Sequence, residues 1–356
     1  MTPDHKDPQA LPTPAQIANL KRLAAGIIRV QGNRFIKELL RERNIRIGVN
    51  KDDFERNLTQ AIETGKLGLE DVDKWLRLVE GWGDQHVYLY NITSTLRRDL
   101  TKPKIRQRVR EAGLEKVWEG ATVLAFPDEP TLTSISFTGS VLRLVWQEAS
   151  PGWTPVPEKN YKKDEGLDTF EYRAWRKIEQ RAITRFEAHL DRELAGLFIA
   201  DPIQGEEHKK AFAEARRVID QLMDFAALER GQIDVPVVSK NLDQKNVPTN
   251  LTPNPNVKAH KSRLTSGGAY VEFAASSRDK AYWEEAAIMN VRKAVKTQQL
   301  PAFQGSDGVF IFQAGLDGLD RPLRVQLYAG GNRIRLWAQM DADEVWTILA
   351  NLATYQ

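Results

Sequence analysis

From Ile17 onward the apolar positions fall three and four residues apart. Ile17, Leu20, Leu23, Ala24, Ile27 and Ile28 share one face of a helix. Gly32 and Asn33 break it, and a second helix runs from Arg34 with Phe35, Ile36, Leu39 and Leu40 inward. A third uses Phe54, Leu58, Ala61 and Ile62 and ends at Gly65. The fourth, LEDVDKWLRLVEGW, turns Val72, Trp75, Leu76 and Val79 inward. Four short helices joined by tight turns predict a compact bundle over residues 16–92. The polar, proline-rich residues 1–15 are expected to be disordered.

The pattern then changes. HVYLYNI, His86 to Ile92, alternates like a short strand or extended connector. Residues 93–235 are expected to hold a basic helix opened by Lys102-Pro103, β-hairpins and long helices. Three runs read as strands, ATVLAF, TLTSISF and SVLRLVW, the last two joined by a turn at Thr138-Gly139-Ser140. After a loop over 150–168, one long amphipathic helix is predicted from Phe170 to about Phe198, and another from about Glu206 to Arg230. Residues 236–262, rich in proline and asparagine, predict a linker or mobile loop. Residues 263–356 predict a separate α+β domain: a strand at 269–275, a helix near 279–298, three strands, and a last helix capped by Asp341. The fold class expected is α+β.

Composition narrows the chemistry. The chain of 356 residues has no cysteine, which removes disulfides, thiolate metal sites and thiol nucleophiles and fits a reducing compartment. The polar N-terminus is no signal peptide, and no run of about 18 apolar residues is present. A cytoplasmic protein is expected. The net charge of +3 conceals two basic blocks. Residues 17–46 carry eight Lys/Arg against two Glu, and residues 97–116 carry eight against three acids.

Enzyme motifs are absent. The five histidines show no metal-ligand spacing, and there is no phosphate-binding glycine loop and no nucleophile elbow. A metal-dependent nuclease using Asp128 and Glu148 is a weak alternative, because no Glu-x-Lys follows on a strand. No cofactor and no metal are expected.

The basic blocks suit a phosphate backbone. In LRRDLTKPKIRQRVREAGLEK, Arg106 and Arg110 share a helical face with Lys102 one turn earlier. Arg97, Arg98 and Lys104 lie on the approach, and Arg108 completes the set. The solvated-face reading needs acids, and Asp99, Glu111 and Glu115 are outnumbered. A second stripe, Arg173, Lys177, Arg181 and Arg185, is blunted by Glu171, Glu179 and Glu187.

The stretch RNIRIGVNKDDFERNL, Arg43 to Leu58, interrupts two good helices. Asn50 reads as an N-cap, with Arg43, Arg46 and Lys51 around the break and Ile45, Ile47 and Val49 expected to tuck beneath the helices. Backbone N–H groups and a lysine at a helix start favour an anion, whereas Asp52 and Asp53 already serve the helix dipole. The hairpin resembles the SAP-type DNA-binding element.

Residues 50–92, NKDDFERNLTQAIETGKLGLEDVDKWLRLVEGWGDQHVYLYNI, resemble the pyrin-like helical domain of the centromere protein N family. The shared features are a basic residue opening a helix, an Asp-led next helix and a Gln-His-Val-aromatic exit. Downstream, a basic helix, the SISFTGSVLRLVW strands, long helices and an α+β unit follow in similar order. The resemblance implies an N-terminal half that contacts DNA and a C-terminal domain that pairs with a partner subunit. Lys51 would then be a DNA contact, and the segment Arg98 to Arg110 would track the duplex. His86 departs from the basic residue expected there. The cysteine-free composition points to a prokaryotic chain, so nucleosome recognition is not carried over.

The expectation is a non-enzymatic, largely sequence-independent DNA-binding subunit of a larger assembly, with possible roles in genome defence. Double-stranded DNA and a protein partner, or self-association through the C-terminal domain, are the expected partners. The rival is an adaptor whose basic face meets an acidic protein, motivated by Trp283, Trp337 and Trp346.

Overall fold

The computed structural model describes residues 13–30, 32–79, 82, 84–120, 127–200, 205–246, 256–266, 269–277, 280–297, 304–337 and 340–356. The expected strand ATVLAF and all but the last three residues of the N-terminal segment 1–15 lie outside them. Two compact units are formed: Met1–Gly81 with Val123–Pro127 and Ala149–Arg181, and Trp82–Thr122 with Asp128–Glu148 and Ala182–Gln356. Among the described residues no helix is long and apolar enough to cross a membrane.

The first unit contains α1 (Pro14–Val30), α2 (Asn33–Glu42), α3 (Lys51–Glu63) and α4 (Leu69–Val79). Leu23, Ile27, Leu40, Phe54, Ile62 and Trp75 lie in one buried apolar cluster that all four helices supply. The helical periodicity is thus borne out, and α1 begins at Pro14 inside the segment expected to be disordered. It also contains a two-stranded sheet, β4 (Tyr161–Glu165) with β5 (Asp168–Tyr172).

The second unit is built on a sheet of ten strands in the order β2-β3-β6-β7-β1-β12-β11-β10-β8-β9. These are β1 (Gln85–Asn91), β2 (Thr131–Thr138), β3 (Val141–Pro155), β6 (Trp175–His189), β7 (Leu194–Ala200), β8 (Val257–Ser266), β9 (Ala269–Ala274), β10 (Gln304–Phe312), β11 (Leu323–Tyr328) and β12 (Arg333–Leu336). Every pairing with a described register is antiparallel. The helices are α5 (Ser94–Asp99), α6 (Lys102–Glu111), α7 (Gly205–Leu222), α8 (Phe225–Glu229), α9 (Val235–Asn246), α10 (Ala286–Thr297) and α11 (Ala342–Ala353).

β1 is covered on both faces. Val87 and Leu89 join a cluster with Val238 of α9 and Trp346 of α11, while Tyr88 and Tyr90 join a cluster with Ile105 of α6 and Ile219 of α7. Its near-continuous apolar sequence follows from that double burial.

Three expectations are corrected. The helix predicted from Phe170 to Phe198 is instead β5, β6 and β7. The reason is arithmetic: a spacing of four is also a multiple of the strand period of two, so Arg173, Lys177, Arg181 and Arg185 share a strand face as readily as a helix face. Residues 181 to 188 are buried on both sides, which an amphipathic surface helix would not be. The segment 236–262 is no linker in its described parts: it holds most of α9 and the first half of β8, with Val238, Leu242 and Ala259 in the core. The C-terminal strands are not a separate sheet, because β12 pairs with β1 and closes the same ten-stranded array. In addition, the helix predicted from Glu206 to Arg230 is two, broken where Asp224 caps α8.

Candidate nucleic-acid interface

The basic block at 97–110 becomes a short helix, a bend and a second helix. Thr93 caps α5 by accepting the Leu96 N–H at 3.3 Å. Pro103 sits in the first turn of α6, where its missing N–H leaves no helical bond unmade. Ile105 and Val109 point into the core, which leaves Lys102, Arg106 and Arg110 on the exposed side of α6.

That geometry sorts the seven basic residues. Arg108 lies on the inward side: it donates to the Leu222 carbonyl at 2.8 Å and to Asp99 at 2.5 Å. Lys104 joins Asp99 at 3.0 Å and reaches the Arg98 carbonyl at 3.3 Å. These bonds from Arg108 and Lys104 hold the Asp99 carboxyl below the usual carboxylate range. Arg97 pairs with Glu193 at 2.7 Å, and Lys102 pairs with Glu119. Arg98, Arg106 and Arg110 are exposed and have no ion pair among the described residues. Lys102, Pro103, Arg106, Gln107, Arg110 and Glu111 line one shallow surface depression. Lys102, Arg106 and Arg110 therefore form a stripe at successive turns, rising about 6 Å per step.

The other predicted set lies in the first unit. Asn50 caps α3, accepting the Asp53 N–H at 2.9 Å, as expected. The Asp53 carboxylate turns back and accepts the Val49 N–H at 3.0 Å. That bond, opposed by partial burial and helped by the Asn50 contact, Arg56 and Arg46, lowers its pKa. Two amides at the break are thus engaged internally, that of Val49 by the Asp53 carboxylate and that of Asp53 by the Asn50 side chain. Gly48 is required by the same fold-back, since an added Cβ would stand 2.1 Å from Asp53 Cβ. Arg43 pairs with Asp71 at 2.5 Å, and Asn57 donates to the Arg46 carbonyl at 2.8 Å. Lys51 occupies the first turn of α3, with its ammonium pKa lowered by desolvation. Of the three apolar residues in the connection only Ile45 tucks under: Ile47 is 38% and Val49 85% exposed.

The carboxylates of the nuclease alternative are arranged differently. Asp128 is exposed and Glu148 is buried, its pKa raised to about 7 by burial and by Glu207 and Glu129. Among the described residues no three histidine or acidic side chains converge as a metal-ion ligand set. Of the C-terminal tryptophans, Trp346 is buried and Trp283 and Trp337 are half-buried. The exposed aromatics that sequence reasoning missed are Trp153, Tyr161, Phe170, Tyr172, Trp175 and Tyr270. The signal was present as alternation in DTFEY, which the assumed helix obscured.

No protein-family model matches the chain, and comparison with curated proteins gives no match.

Proposed function

We propose that the chain is a non-enzymatic, largely sequence-independent DNA-binding subunit that grips the phosphate backbone through α6. The observation that supports this reading is the stripe Lys102, Arg106, Arg110: three cations one turn apart, two without an internal partner, beside an exposed Arg98. Long cationic side chains on a rigid helix match a polyanion and carry no base information. In this reading the four N-terminal helices form the pyrin-like bundle of a centromere protein N-like architecture. Arg43, Arg46 and Lys51 then provide a second, weaker set of contacts, and the protein works in the cytoplasm.

With about four phosphates neutralised, the slope of log affinity against log salt is expected near −3.5. The test is fluorescence anisotropy on a labelled duplex over a salt series, with wild type and an Arg106→Glu, Arg110→Glu double variant. Steep salt dependence lost in the variant supports the reading. A flat salt response, or no binding at low salt, removes it.

The second reading is an adaptor that docks a partner along the sheet edge. It is favoured by Tyr270, 61% exposed on the edge strand β9. Removing residues 263–356 cannot separate the readings, because that would strip β1 of its neighbour β12. Tyr270→Lys leaves the sheet intact: an adaptor loses its partner, while the α6 surface retains its affinity for DNA.

A further inference from the structure

Among the described residues β4 and β5 pair only with one another, and all ten of their residues are exposed. Their register sets Tyr161 against Tyr172 and Lys163 against Phe170 on one face, with Lys162 against Glu171 and Asp164 against Thr169 on the other. The two tyrosine rings stack at 4.7 Å with 13° between planes. Leu167 at the turn is fully exposed, and Trp153 and Trp175 are 62% and 53% exposed. An isolated two-stranded hairpin is marginal in water, and a large uncovered aromatic face marks an interaction surface.

The two outer edges differ. β4 reads YKKDE, with the paired lysines that blunt an edge against further pairing. β5 reads DTFEY and has no lysine, no proline and no register shift. It is the open edge.

We propose that two copies of this chain join along β5, antiparallel and centred on Phe170. The register follows from the side chains. Phe170 faces the partner's Phe170, Asp168 faces the partner's Tyr172 hydroxyl, and Thr169 faces the partner's Glu171. No like charges oppose. Centring the pair on residue 171 sets Glu171 against its own copy, and a one-residue slip puts the two aromatic faces on opposite sides of the sheet. The chosen register gives a continuous stripe of Tyr161, Tyr172 and Phe170 with their counterparts across four strands, without opposing the two Glu171 carboxylates. Aromatic pairs directly opposite on neighbouring strands are the stabilising unit of such a sheet. The interface is isologous and closes at two copies.

The cysteine-free chain makes the register measurable. Phe170→Cys places a single thiol on the two-fold axis. Directly opposed Cα atoms lie about 4.5–5.5 Å apart, inside the disulfide window of about 4.4–6.8 Å. Thr169→Cys is the control, because its counterpart is displaced by two residues and lies about 8 Å away. Under mild oxidation the full-length Phe170→Cys protein is expected to cross-link at least roughly tenfold faster than Thr169→Cys. In sedimentation velocity, wild type is expected to run as a dimer and Phe170→Asp as a monomer with unchanged circular dichroism. Wild type running as a monomer at micromolar concentration, or equal cross-linking of the two cysteine variants, overturns the proposal. So does a Phe170→Asp protein that stays dimeric. If wild type is monomeric and Phe170→Asp weakens binding to single-stranded DNA, the hairpin is a base-stacking element instead.

Discussion

The indole N–H of Trp346, on the last helix, donates to Glu187 Oε2 on β6 at 2.9 Å, although 159 residues separate them. The same buried carboxylate accepts from Arg143 at 2.5 Å and His189 at 3.3 Å, and forms an ion pair with Arg185 at 3.1 Å. The Arg185 guanidinium sits over Trp82, 3.6 Å from the ring centroid, and 4.3 Å from that of Phe198. Burial alone would raise the Glu187 pKa, but Arg185, His189, Arg143 and Trp346 together push it down to about 2. Its stabilising contribution is complete above the unfolded value of 4.5 and is lost as pH falls through about 2. Glu187→Ala leaves Arg185 buried without its carboxylate and is expected to cost about 3–5 kcal/mol. Trp346→Phe removes one donor and is expected to cost about 1–3 kcal/mol. Urea denaturation at neutral pH measures both, and a loss under about 1 kcal/mol for Glu187→Ala would refute the account.

Glu148 has the opposite dependence. Its pKa rises from 4.5 to about 7, first through burial and then through Glu207 and Glu129. The folded protein then holds more protons than the unfolded chain between those values, so stability falls as pH rises through that window. Glu148→Gln is expected to match wild type near pH 4 and to exceed it by about 3 kcal/mol at pH 8. Thermal melts across that range give the difference directly. A constant offset would mean that Glu148 does not titrate there.

Arg108 and Arg106 are two residues apart with separate expectations. Arg108→Ala removes bonds to Leu222 and Asp99 and is expected to destabilise the fold by about 1–2 kcal/mol. Arg106→Ala and Arg110→Ala are expected to stay within about 0.5 kcal/mol of wild type while weakening DNA binding. Equal stability losses for all three would show that the outward stripe is structural.

Gly231 marks a close backbone approach. It accepts the Asn91 N–H at 2.7 Å, and an added Cβ would lie 2.2 Å from the Asn91 carbonyl oxygen. Gly231→Ala must push β1 and the end of α8 apart. A cost of at least about 2 kcal/mol is expected in denaturant titration, and a near-neutral result would contradict the packing.

Much of the first unit was legible because its helices obey a single rule. Each has one buried stripe, and the sequence marks its ends with Asn50, Gly65 and short polar turns. Asp341 announced the last helix in the same way, through a capping box with Glu344. The central strands defeated the reading because residues 181–188 of β6 and nearly all of β7 are buried on both faces, so alternation vanishes there and charge spacing becomes the visible period. Arg185 and Glu187 looked like surface charges, and only three-dimensional pairing shows them to be interior. For α6 the helix and its outward stripe were readable, but the partners of Arg97, Lys104 and Arg108 were not. Glu193 and Leu222 lie about a hundred residues away, and the Asp99 pairing depends on the bend at Leu100.

The strand order also sets a timetable. β1 is made early, yet its two neighbours are β7, ending at Ala200, and β12, ending at Leu336. On the ribosome, a nascent chain therefore carries Val87 and Leu89 without their final cover until almost the whole polypeptide has emerged. At about 5–20 residues per second that wait lasts on the order of tens of seconds. Helices α1 to α4 form from local contacts and can close at once, whereas the sheet must wait for its last strand. A stalled or C-terminally truncated chain would hence combine folded helices with an open, aggregation-prone sheet, a natural client for chaperones and proteases.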